Sequence, residues 1–131
     1  MFHYRNWIGL LILVGGLMLP GSAMAAGQGA VGTFSTPARS GKVRFVAVKR
    51  VAQINGYQGN MTISGKTYPG VMYGLRDGRL AFVWYYASDY SQAGQAILSR
   101  MPDSSYSGTI TFLDRRGNTA ETGGMTVTVV F

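Results

Sequence analysis

Apolar side chains recur at every second position over much of this chain, and that period constrains the fold more than any other feature. Tyr57, Gly59, Met61 and Ile63 alternate with Gln58, Asn60, Thr62 and Ser64, so the first set faces a core and the second faces water. Tyr106, Gly108, Ile110 and Phe112 alternate in the same way with Ser107, Thr109 and Thr111, and Met125, Val127, Val129 and Phe131 with Thr126 and Thr128. Val43 to Ile54, Lys66 to Arg76, Arg79 to Ala87 and Gly94 to Met101 are strand-like with apolar residues on both faces. Only Ala87 to Ala96 has room for a helical turn or a longer loop.

Turn residues separate these segments. Asn55-Gly56 and Asp77-Gly78 suit two-residue type I′ hairpins, because both central residues of that turn need positive φ. Ser64-Gly65-Lys66 suits another tight reversal, and Asp114-Arg115-Arg116-Gly117-Asn118 a longer loop with Gly in the left-handed position. Consecutive hairpins make a meander. Seven strands, or eight with Val31 to Ser35, predict a small up-and-down antiparallel barrel, with a two-layer β-sandwich as the alternative. Closure favours the barrel because it removes exposed edges without covering helices. Gly59, Gly74 and Gly108 fit coiled strands that need places to bend.

Residues 1–25 read as a cleavable secretory signal. Arg5 supplies the positive start, Ile8 to Leu19 an apolar run of twelve, and Ala23-Met24-Ala25 the small-x-small cleavage site. Twelve helical residues reach only about 18 Å, short of a hydrocarbon core about 30 Å thick. The expected organisation is therefore a signal over 1–25, a flexible leader over 26–41 and a barrel over 42–131, with a periplasmic or secreted destination. Cleavage leaves 106 of the 131 residues, with eleven basic and five acidic side chains, and removes His3, the single histidine. The chain has no cysteine. A mature chain without imidazole or thiol excludes Ser-His-Asp and Cys-His mechanisms, and it lacks the usual ligands for zinc, copper or haem. No metal and no cofactor are expected, and no enzymatic activity.

In architecture the predicted barrel resembles calycin-type small barrels such as lipocalins and avidins, although none of their family motifs is present. The terminus Met125-Thr-Val-Thr-Val-Val-Phe131 resembles the last strand of outer-membrane β-barrels. Against that resemblance, eight membrane strands need more chain, and Lys49, Arg50 and Arg100 would burden a lipid face.

The aromatic block Phe82-Val83-Trp84-Tyr85-Tyr86, followed by Asp89-Tyr90, is the densest in the sequence. In a strand Phe82, Trp84 and Tyr86 point one way, Val83 and Tyr85 the other. Trp84 is expected in the core. Tyr85, Tyr86, Tyr90 and Arg100 are the candidate ligand-binding residues, near the loop from Ser88 to Gln95, because tyrosine combines apolar area with a polar tip. Among the acids, Asp77, Asp103 and Asp114 fall in turns, which leaves Asp89 and Glu121.

The function this implies is an exported, non-catalytic binding protein with an aromatic and basic surface at a barrel mouth. Its partner would be a small molecule, a glycan or an anionic envelope component. One alternative is a structural or inhibitory module that binds another protein; a second is a very small membrane barrel. Export argues against nucleic acid.

Overall fold

A computed structural model describes residues 28–130; the segment expected to act as a signal, and Phe131, lie outside the described residues. Eight strands follow in order: β1 (Gly29–Ser35), β2 (Ser40–Val51), β3 (Gly56–Ile63), β4 (Lys66–Gly74), β5 (Leu80–Tyr85), β6 (Gln92–Arg100), β7 (Tyr106–Leu113) and β8 (Thr119–Val130). Each pairs antiparallel with its neighbour in sequence, and β8 pairs with β1, so the sheet is a closed barrel rather than a sandwich. Composition assigned residues 26–41 to a leader, but the barrel begins earlier. Residues from Gly29 to Ser35 are hydrogen-bonded between β2 and β8 and close the cylinder. Small residues suit this strand, since Gly32 lies where a side chain would collide with the carbonyl oxygen of Thr126.

The alternation seen in the sequence becomes an inside and an outside. Phe34, Val43, Phe45, Met61, Ile63, Met72, Phe82, Trp84, Leu98, Ile110, Phe112, Met125 and Val127 form one buried cluster. Barrels of this strand number are just wide enough to be filled by side chains. Here Trp84, Phe45 and Phe82 are the largest buried groups, and edge-on ring contacts link Phe45 to Phe82 at 5.9 Å and Trp84 to Phe112 at 5.9 Å. Burial of Trp84 agrees with its expected place in the core.

Outward positions carry hydroxyls and charge. In register, Thr33 faces Lys42, Arg44 faces Thr62, Thr62 faces Thr67, and Ser107 faces Thr126, the last two pairs at 2.9 Å between hydroxyl oxygens. The wall of β3, β4 and β5 departs from this pattern. Gln58 lies on the outward side as its alternation requires, yet it is buried together with Val51, Val71 and Ala81. Its partner in register on β4 is Val71, which in turn faces Val83 of β5. Gln58 therefore belongs to a stripe where the outer surface itself is apolar.

Glycine is required where strands press together. A Cβ on Gly94 would collide with the Trp84 indole. On Gly59 and Gly108, which lie on opposite sides of the barrel, it would collide with the carbonyl oxygens of Val46 and Ile97. Those two glycines explain the echo between Tyr57-x-Gly59 and Tyr106-x-Gly108, since both tyrosines pack against the core two residues before the close approach. Gly74 has a different setting, with only the Asn55 amide nitrogen nearby at 3.1 Å.

The turns differ from the sequence reading in an informative way. Positive φ at both central residues occurs at Ser64 and Gly65, not at Asn55-Gly56 or Asp77-Gly78. Three hairpins share one design instead. Leu75 N–H donates to Arg79 O, Met101 N–H to Ser105 O and Asp114 N–H to Asn118 O, with Gly78, Ser104 and Gly117 left-handed. In each an aspartate side chain accepts the backbone N–H two residues on, the Asx geometry that competes with a two-residue reversal.

Candidate functional site

Up-and-down order places the turns alternately at two rims. The upper rim carries residues 36–39, 64–65, 86–91 and 114–118; the lower rim carries 52–55, 75–79 and 101–105, the start of β1 and the end of β8.

Arginines stacked on rings cover the upper rim. The Arg39 guanidinium lies 4.5 Å from the Phe112 ring centre and 5.5 Å from that of Phe34. Its Nε donates to both carboxylate oxygens of Glu121, at 3.3 and 3.2 Å. Thr36 adds a hydroxyl bond of 2.8 Å to the same carboxylate, and the backbone N–H groups of Ala38 and Arg39 donate to the Thr36 hydroxyl. Across the rim Arg115 lies 4.4 Å above Tyr86, donates to the Ser88 hydroxyl at 2.7 Å and stands 3.9 Å from Asp89. The Tyr86 hydroxyl donates to Leu113 O at 2.6 Å.

The lower rim is more open. A bulge between Ala47 and Lys49 shifts the end of β2, and a single 3₁₀ turn over Ala52–Ile54 ends in left-handed Asn55, φ 53°. This turn is tied to β4 by a bond of 3.1 Å from Gly74 N–H to Asn55 O. The result sets Arg50 opposite Tyr57. The guanidinium lies 5.5 Å from the phenol ring centre and donates to Gly56 O at 3.3 Å. A cleft of about 370 Å³ opens here, lined by Arg50, Asn55, Tyr57, Met72, Tyr73 and Leu80, with Gly56 and Gly74 between them. A second, of about 430 Å³, runs along the outer wall beneath the 3₁₀ turn, between Gln53, Ile54, Asn55, Val71, Tyr73, Val83 and Tyr85. The two share Asn55 and Tyr73. Both volumes suit a small organic ligand.

The structure divides the four expected ligand residues. Tyr86 and Tyr90 lie at the upper rim, where Tyr86 is engaged by Leu113 and Arg115 and Tyr90 is left-handed, φ 57°, with its N–H bonded to Tyr86 O. Tyr85 faces outward and lines the wall cleft. Arg100 ends β6 at the opposite rim, not near the loop from Ser88 to Gln95, because the nine extended residues of Gln92–Arg100 carry the chain across the barrel. Its side chain donates to the Ser104 hydroxyl at 3.5 Å. The sequence marks Asn55 as a turn residue, Tyr57 as core-facing and Arg50 as a charge unsuited to lipid, but makes none of them, nor Tyr73 or Leu80, a ligand candidate. A type I′ turn centred on Asn55-Gly56 would set Ile54, not Arg50, against Tyr57; the 3₁₀ turn changes that pairing.

All five acids are occupied within the fold. Asp77 binds Arg79, with Nε donating at 2.7 Å, and the backbone N–H of Arg79, followed by that side chain, holds its carboxyl below the ordinary value of 3.8. Asp89 is lowered by the backbone and hydroxyl of Ser91, then by Arg115, and Asp103 by the hydroxyl and backbone of Ser105. Asp114 accepts the N–H groups of Arg116 and Asn118. Among the described residues no three His, Cys, Asp or Glu side chains gather in one place.

Fold and rims together define a small closed β-barrel with a packed interior and clefts outside its core. No known family model, curated protein sequence or solved structure matches the chain.

Proposed function

We propose that the protein is a non-catalytic binding module that takes a small ligand at the lower rim and the adjoining wall, around Asn55 and Tyr73. The observation that carries this reading is the meeting of two clefts at those residues, on the apolar outer stripe of β3, β4 and β5. Tyrosines 57, 73 and 85 give large flat surfaces, and Asn55 and Arg50 give oriented polar groups.

The absence of catalysis is part of the same proposal. It is supported by the sequence, which offers no thiol and one histidine at position 3, and by the engagement of every carboxylate in a turn or with an arginine. Export through cleavage after Ala25 is proposed from the sequence and is tested by mass spectrometry of the protein recovered from the envelope fraction. A barrel that faces water is supported by its interior, which is filled by apolar side chains, whereas membrane barrels turn polar residues inward.

The direct test is a screen of glycans, aromatic molecules and amphipathic acids by backbone NMR. The expected result is a set of shifts confined to Gln53–Tyr57, Val71–Gly74 and Leu80–Tyr85, which Tyr73→Ala removes. Shifts confined to the upper rim, or none with any class, would reject the assignment.

A further inference from the structure

We infer that the lower cleft selects an amphipathic organic anion, an apolar or aromatic body carrying one carboxylate, and that Arg50 is the residue that recognises its charge. The inference rests on the binding reading above and adds the chemical class of ligand.

The upper rim shows what a guanidinium in this barrel does when its needs are met. Arg39 stacks on Phe112 and Phe34 while its edge holds the Glu121 carboxylate. Arg50 repeats half of that arrangement: it stacks on Tyr57, but along its edge the fold supplies one backbone carbonyl and, among the described residues, no carboxylate within ion-pairing distance. A guanidinium presents five donors in a planar fork that matches a carboxylate. One acceptor leaves most of that fork for a ligand.

The surroundings favour an anion. Arg50, Arg76, Arg79 and Arg100 share this rim with Asp77 and Asp103. Asp77 is taken by Arg79, and Asp103 by the hydroxyl and backbone of Ser105. Below Arg50 the cleft is walled by Tyr57, Met72, Tyr73 and Leu80, which suits a ring or a short alkyl chain, not a fully hydrated ion. An apolar wall beneath a guanidinium that meets one backbone carbonyl among the described residues recognises both parts of such a molecule at once.

Titration of the full chain with 4-phenylbutyrate and with its neutral amide, at low ionic strength and followed by NMR, tests the inference. Expected are shifts at Asn55, Tyr57, Tyr73 and Leu80 with the acid, about fivefold weaker binding of the amide, and weaker acid binding in added salt, as follows for an exposed charge-assisted contact. Arg50→Gln should bring acid and amide to the same affinity, and Arg50→Lys should leave a partial preference for the acid. Equal affinity of acid and amide for the unaltered protein, with shifts at this cleft, overturns the anionic class and leaves the binding reading standing. No binding of either compound, or shifts elsewhere, overturns the inference. The wider screen then decides the binding reading.

Discussion

Each rim of the barrel carries an arginine lying on an aromatic ring, and the rims differ in what meets the other side of the charge. At the upper rim a glutamate 82 residues away in sequence reaches Arg39, and a buried threonine fixes that glutamate. The ring, cation and carboxylate then cap the core above Trp84 and Phe112. At the lower rim the ring and cation recur without a carboxylate among the described residues, and a cleft stands beside them. The same attraction between a cation and a ring thus closes one end and leaves the other chemically incomplete. Whether a rim is structural or available is decided by the counter-charge, not by the aromatic residue.

The comparison can be tested from its base upward. Trp84 supports the upper stack through Phe112, so Trp84→Ala should cost about 3–5 kcal/mol in denaturant unfolding. Gly94→Ala, which sets a methyl group against the same indole, should cost about 1–3 kcal/mol as an overpacked core does. If it costs nothing, Trp84 is not seated as tightly as described.

Removing the two rim arginines is the sharper contrast. Arg39→Ala separates Glu121 from its cation and uncovers two phenylalanines, and because the pair is partly exposed the loss should be about 1 kcal/mol. Arg50→Ala should cost less than about 0.5 kcal/mol, since among the described residues no carboxylate depends on it. Equal losses from these two would break the comparison between the rims.

The smallest expected effect is with pH. Folding lowers Asp77, Asp89 and Asp103 below the ordinary 3.8, so their contribution is present above that value and is lost as pH falls below it through their folded values. Asp77 and Asp103 sit at the lower rim and Asp89 at the upper. Asp103→Asn should therefore flatten the acid limb of stability without affecting the Arg39 cap. Thermal unfolding between pH 5 and pH 2 of the variant and the unaltered protein measures it.

Much of the barrel was legible because one physical rule wrote it. Period-two alternation located β3, β7 and β8, and Gly117 closed its loop as the sequence suggested. Trp84 was readable as core from the block around it. The site was less legible. Arg50 and Tyr57 face each other because a 3₁₀ turn occupies Ala52–Ile54 and a bulge precedes it, and neither leaves a local mark stronger than Asn55-Gly56. Arg39 and Glu121 meet through closure of β1 on β8, a long-range event that no window of sequence contains. Arg100 was misplaced for a related reason: a basic residue close to the aromatic loop in sequence is carried to the opposite rim by one strand.

The seam between Gly29 and Val130 gives this barrel an order of assembly. Seven of its eight pairings join neighbours and can form as soon as each hairpin exists, while the eighth must wait for nearly the whole chain and bears the largest loop-closure entropy. Until that last zipper shuts, the first strand and the growing sheet both present unpaired backbone, the form in which such sheets recruit one another. A chain interrupted before β8 would keep those two edges permanently, and its fate would be self-association.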